Sequence, residues 1–333
     1  MNIESGARPL DLRRIILYLI FAFGIAWAGG LAIALTGGLA NSPPVAGSNL
    51  PLAFFILTTV YMGAPAIAHV LTRLVTREGW GGTYLRPKLS QNWPYWVIAW
   101  LAPGLLTFAG AAVFFVLFPQ YYDASLSRVQ AMLQQAAPEQ QVPEVSPWLA
   151  VIAGAVQAIL LAPLLNALPV FGEEFGWRAY LQPKLLPLGG RKAMLLMGLI
   201  WGAWHWPVVA MGYNFGLDYV GAPWLGMLLM VWFTLAFGTL VGWLALRGGS
   251  VWPAVIAHGA LNGIAGIAAL FVQGTPSPLL GPLPVGLIGS AGFALIALWL
   301  FLRSGALDPP APRSAPPVPT ERMALPVTGP GDS

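Results

Sequence analysis

The sequence predicts an all-α, polytopic membrane protein with about eight transmembrane helices packed in one bundle. Three observations carry that expectation. Of 333 residues, 57% are apolar and only 8% charged, against roughly 25% charged in an ordinary soluble domain, so the chain cannot cover a water-facing surface. Apolar stretches of about 20 residues, the length a helix needs to cross the hydrocarbon core, recur from Ile15 to Leu302. Lysine and arginine gather in alternate connections between those stretches.

The windows run 15–36, 51–72, 93–118, 148–170, 192–212, 224–246, 252–272 and 284–302. The first follows Arg13 and Arg14 and ends near Gly38-Leu39-Ala40, as a signal peptide would. Its apolar run exceeds the roughly 7–15 residues of a signal sequence, so it reads as a retained helix. Trp93, Tyr95, Trp96, Trp148, Trp224 and Trp252 stand near window ends, where amphipathic rings anchor at headgroup level. Between the third and fourth windows, residues 124–136 have the pattern of a short surface helix. The tail 303–333 is too rich in proline and too poor in apolar residues to bury a core, and disorder is expected there. Four regions follow: 1–14, a cytoplasmic amino-terminal segment; 15–144, the amino-terminal transmembrane helices; 145–302, a second set of helices; and the tail.

With the amino terminus in the cytoplasm, fifteen of the sixteen basic residues fall on the inner side and Arg128 alone falls outside. This is the positive-inside pattern for an even number of crossings with both termini cytoplasmic. It also accounts for the net charge of +4 without a nucleic-acid partner; the lipid bilayer is the surrounding medium. Abundant Ala, Gly and Pro with only three lysines point to a GC-rich bacterial genome, hence an inner (plasma) membrane. The absence of cysteine excludes disulfides, thiolate metal sites and a cysteine nucleophile. No internal repeat is visible, which argues against an inverted-repeat transporter.

Buried charge is costly at membrane depth and marks function by default. Three segments carry it. In Glu173-Glu174-Phe175-Gly176-Trp177-Arg178, helical spacing lets Glu174 pair with Arg178 at i, i+4 and turns Glu173 elsewhere, free to act as a general base. In Trp201-Gly202-Ala203-Trp204-His205, the histidine lies at least a dozen residues beyond Lys192, deep in the bilayer. In His258-Gly259-Ala260-Leu261-Asn262, the imidazole and the carboxamide share one helix face. Gly259, Gly263 and Gly266 thin that helix for a close neighbour. Each segment alone has a plain structural reading, as an interfacial charge pair or a hydrogen-bonded packing histidine; together they predict one shared site. His69, four residues before Arg73, reads as structural or interfacial. Asn166 would face the site only if the helix continued past Pro169.

The same three segments resemble the signature of the CPBP family of intramembrane proteases, which includes the type II CAAX prenyl endopeptidases and bacteriocin-immunity-type membrane proteins. The family's EExxxR is met by Glu173, Glu174 and Arg178, its FxxxH by Trp201 to His205 with Trp in place of Phe, and its HxxxN by His258 and Asn262. The likeness covers about residues 145–270, which makes 145–302 the protease core. Ala179 departs from the glycine that commonly follows the arginine, which puts close packing there in question.

The resemblance implies peptide-bond hydrolysis within the membrane, with a membrane-embedded or membrane-anchored peptide or protein as substrate. Glu173 would activate water, His205 would orient that water or hold a metal, His258 and Asn262 would stabilise the oxyanion or complete the metal shell, and Glu174 and Arg178 would support them. A carboxylate and two neutral imidazoles equally suit Zn²⁺, with His205, His258 and Glu173 as ligands. The sequence leaves that choice open and implies no organic cofactor. Two further classes compete: a non-proteolytic scaffold or immunity protein on the same fold, and a proton-coupled transporter. One tension is visible at this level. Glu173 falls near the inner boundary and His205 deep, so a common site requires the glutamate segment to dip inward at Pro163 or Pro169, beneath a cavity open to the cytoplasmic side.

Overall fold

The computed structural model describes residues 9–136 and 146–310. Among them the chain is helical with no β-strand, and six helices are long and apolar enough to cross a membrane. The chain is an all-α membrane bundle. We number its helices α1 (Leu12–Leu35), α2 (Leu52–Val75), α3 (Leu89–Leu117), α4 (Ser127–Ala136), α5 (Pro147–Leu165), α6 (Ala167–Gly176), α7 (Gly190–Trp204), α8 (Trp206–Ala210), α9 (Trp224–Gly248), α10 (Trp252–Ile264) and α11 (Ala291–Leu302). α10 is central, packed by α3, α5, α6 and α9; α1 covers α2, and α7 and α11 flank α9.

Each of the eight windows contains helix, and the fifth and eighth depart furthest from simple spans. The fifth breaks at His205 into α7 and α8, because Pro207 has no N–H to continue the ladder. The carbonyl of Trp204, left out of the helix, accepts instead from the Tyr61 hydroxyl at 2.5 Å and the Trp27 indole at 3.3 Å. The eighth helix holds only 12 residues, about 18 Å. Before it, residues 279–290 form a glycine-rich coil closed by Leu287 N–H to Leu279 O and Ile288 N–H to Leu280 O. Gly110 of α3 lies so close to the Gly289 carbonyl that a Cβ would meet it at 2.1 Å.

Glycines also set the helix approaches around α6. A Cβ on Gly176 would lie 2.4 Å from the Pro65 backbone, and one on Gly172 would lie 2.7 Å from the Met62 carbonyl, so α6 and α2 touch backbone to backbone. Gly259 and Gly263 similarly admit Pro163 and Ala162 of α5, whereas Gly266 lies beyond α10 with nothing against it. Pro163 withholds a donor from the Ile159 carbonyl, and the Trp100 indole supplies one at 2.7 Å.

Hydrogen bonds tie the connections together at each end of the bundle. At one end Lys184 and Arg14 meet Glu78, Arg247 meets Gly305 and Ala306, and Gly190 meets Asp308. At the other, Asp123 N–H bonds Phe271 O, Arg128 bonds Ala269 O, and Trp148 bonds Ala124 O. The expected surface helix is present there as α4. Asp123 accepts from the Ser125 and Ser127 hydroxyls and backbone N–H groups, which hold its carboxyl well below the usual range. The expected disorder does not begin at Arg303: Ala306 and Leu307 are buried against Leu246 and Met194. The rest of that tail, from residue 311, lies outside the described residues, as do residues 1–8.

Candidate active site

The run after α6 resolves the depth problem. Helical structure continues from Gly176 through a π-helical turn, Trp177–Leu181, and Gln182–Leu185 before the chain reverses at Leu186–Gly189. Glu173 thus stands twelve residues before the end of that helix, about 18 Å in. Trp201 lies eleven residues into α7, at matching depth. Placing Glu173 near the inner boundary treated its charge as a sign of water; the carboxylate is instead 3% exposed and Glu174 fully buried.

The two carboxylates diverge as helical spacing requires. Glu174 Oε1 accepts from Arg178 Nη1 at 3.2 Å and from His258 Nδ1 at 2.8 Å. Glu173 Oε2 accepts from the Trp201 indole N–H at 2.8 Å. The Arg178 guanidinium lies over the Trp201 ring, 4.4 Å from its centroid. Among the described residues, Glu174 Oε2 and Arg178 Nε and Nη2 have no protein partner.

His205 sits at the α7–α8 break with Nδ1 2.7 Å from the Trp201 carbonyl. A carbonyl only accepts, so Nδ1 carries the hydrogen, and in the neutral ring Nε2 is left as an acceptor. His258 is held the same way by Glu174. Asn262, one turn further along α10, is exposed. Glu173, Trp201, His205, His258 and Asn262 line one cavity of about 320 Å³, together with Tyr61, Tyr213, Asn214, Phe237, Pro284 and Val285 among others. Its walls mix apolar side chains with polar groups that converge from α6, α7 and α10.

Residues 147–264 match the family described as type II CAAX prenyl endopeptidase Rce1-like. That segment belongs to the family. No curated protein matches the chain. The matched segment begins at the first residue of α5 and ends at the last residue of α10, so it contains all six predicted site residues and none of α1 to α3.

Of those six, Glu173, His205, His258 and Asn262 face the cavity, whereas Glu174 and Arg178 lie behind it as a buried pair. Asn166 does not join them. The helix does resume past Pro169, but the Asn166 amide donates to the Gly259 carbonyl at 3.1 Å. His69 is structural: Nδ1 lies 2.9 Å from the Phe175 carbonyl and Nε2 accepts from Arg73 Nε at 2.6 Å. Ala179 is 2% exposed, packed with Val251 and Val255, so the missing glycine has not opened the packing there. The sequence does not single out Tyr61 and Tyr213, since an aromatic residue in an apolar run looks like core. Trp201 enters the sequence pattern only as a replacement for Phe.

The cavity lies away from the basic connections. None of its lining residues comes from the connections rich in lysine and arginine; Tyr213, Asn214, Ala265, Pro284 and Val285 come from the opposite end. The metal reading meets a geometric limit. Glu173, His205 and His258 are suitable donors, yet among the described residues no three His, Cys, Asp or Glu side chains gather closely enough to hold an ion.

Proposed function

We propose that the chain is a glutamate-dependent intramembrane endopeptidase of a bacterial inner membrane, with both termini cytoplasmic, hydrolysing a peptide bond of a membrane-embedded or membrane-anchored substrate. One observation carries this reading: an acid, two imidazoles and a carboxamide from three helices line a single cavity. A pure scaffold has no need of such buried polarity, and a proton relay has no need of an open cleft beside the acid.

In this mechanism Glu173, with Oε2 fixed by Trp201, takes a proton from water through Oε1. His205 Nε2 accepts the other hydrogen and aims the oxygen at the scissile carbonyl. As the tetrahedral intermediate forms, its oxyanion receives donors from the α10 face. The Asn262 amide donates to it, and His258, its Nδ1 held by Glu174, flanks it on the same face. The proton on Glu173 then passes to the departing amine nitrogen, and the C–N bond breaks. Regions 15–144 and 145–302 serve as supporting helices and protease core, although Leu57, Tyr61 and Met62 of α2 also line the cavity.

The test is hydrolysis of a fluorogenic peptide panel by the purified chain in detergent. Wild type is expected to cleave, and Glu173→Gln to lose about 10²–10⁴-fold in kcat/KM, the range for a general base. His258→Ala and Asn262→Ala are expected to lower kcat rather than raise KM. A well-folded wild type that cleaves nothing in any panel defeats the proposal.

A further inference from the structure

Packed side chains separate the cavity from one end of the bundle, and toward the other its lining includes the exposed Asn214 and Asn262. At the closed end, Glu78 gathers Lys184 Nζ at 2.8 Å, Arg14 Nε at 3.3 Å and the Tyr180 hydroxyl at 2.9 Å. Between this network and Glu173 lies a packed aromatic layer. Tyr18, Trp177 and Tyr180 are buried, with the Tyr18 ring 5.7 Å from that of Trp177 and 5.2 Å from that of Tyr180. Twelve of the thirteen described lysines and arginines belong to this half. At the open end stand Tyr213, Asn214 and Ala265, and the one basic residue described there is Arg128.

Basic residues in short connections mark the cytoplasmic side. We infer that the cavity is entered from the non-cytoplasmic face, and that its substrate is a membrane-anchored protein or peptide presenting a short, extended, mainly apolar segment on that side. The inference rests on the hydrolase reading for its substrate, but not for its direction. Apolar side chains suit the walls formed by Leu57, Met230, Phe233, Phe237 and Leu261. A cleavage site held at the cytoplasmic surface would meet the Glu78 network and the Tyr18–Trp177–Tyr180 layer instead.

The chain contains no cysteine, so single-cysteine variants of the full chain report access directly. Asn214→Cys and Ala265→Cys are placed at the open end and Lys192→Cys at the basic end. Each is treated with a membrane-impermeant maleimide in right-side-out and in inside-out vesicles. Lys192→Cys is expected to label only in inside-out vesicles, and Asn214→Cys and Ala265→Cys only in right-side-out ones. Modified Ala265→Cys is expected to lose peptide hydrolysis in detergent, where both faces are exposed. Labelling of Asn214→Cys from the side that labels Lys192→Cys, or no labelling at either open-end position, overturns the inference. An undiminished rate after full modification at Ala265 overturns the substrate path. Failure of the hydrolase reading shows separately, as an unmodified protein that is inactive in detergent, and removes the substrate while leaving the direction of access measurable.

Discussion

The Trp201 indole donates to Glu173 at 2.8 Å while its carbonyl accepts from His205 at 2.7 Å, so one residue holds both groups proposed to bind the attacking water. Its ring also supports the Arg178 guanidinium and meets the His258 ring at 5.3 Å. A phenylalanine, which the family pattern more often carries here, would keep the ring and the carbonyl but lose the donor.

Trp201→Phe therefore isolates one hydrogen bond. A bond to a charged group contributes about 1.5–3 kcal/mol, so kcat/KM should fall roughly tenfold to a hundredfold with the fold intact, through kcat. Steady-state kinetics beside a thermal melt would check this, and kinetics equal to wild type would show that Glu173 needs no such support.

Adjacent glutamates should respond differently to the same substitution. Glu174→Gln leaves Arg178 buried without its anion, and breaking a buried pair costs about 3–5 kcal/mol, so it should lower the melting temperature and the yield. Glu173→Gln should keep the wild-type melt and lose activity. Equal losses of stability in the two variants would contradict the division of roles.

Hydropathy was enough to find the eight helical segments, because each must satisfy its backbone internally and shield it with apolar side chains. Spacing was enough to separate Glu173 from Glu174, because i, i+4 neighbours lie on one face. Depth was not legible, since the scale counts a carboxylate as water-facing and cannot see Trp201, Arg178 and His258 closing around the pair. Nor was the direction of the cavity, which depends on an aromatic layer assembled from Tyr18, Trp177 and Tyr180, residues far apart in sequence or indistinguishable from core. The shortened α11 was hidden for a related reason: the glycine-rich coil before it is as apolar as a helix.

Chelation separates the two chemistries that the donor types allow. Because Glu173, His205 and His258 are not gathered into a three-ligand cluster, treatment with 1,10-phenanthroline or EDTA followed by desalting should leave hydrolysis unchanged. Elemental analysis should then find no stoichiometric zinc. Loss of activity that added Zn²⁺ restores would replace the water-activating role of Glu173 with that of a ligand.

Glu78 offers a pH-dependent handle outside the spans. Burial alone would raise its carboxyl, but the Lys184 ammonium and the Tyr180 hydroxyl outweigh that and hold it below its ordinary value of 4.5. A group with a lowered folded value stabilises fully above the ordinary one, and that contribution disappears as pH falls through the folded value, because the unfolded state binds more protons there. Glu78→Gln should accordingly cost about 1–3 kcal/mol near neutral pH, the usual loss when a charged partner is removed. The gap between the two melting temperatures should narrow steadily below pH 4.5. A gap that stays constant from neutral pH to pH 3 would mean that Glu78 contributes packing and not charge, and the seal at the basic end would then rest on the aromatic layer alone.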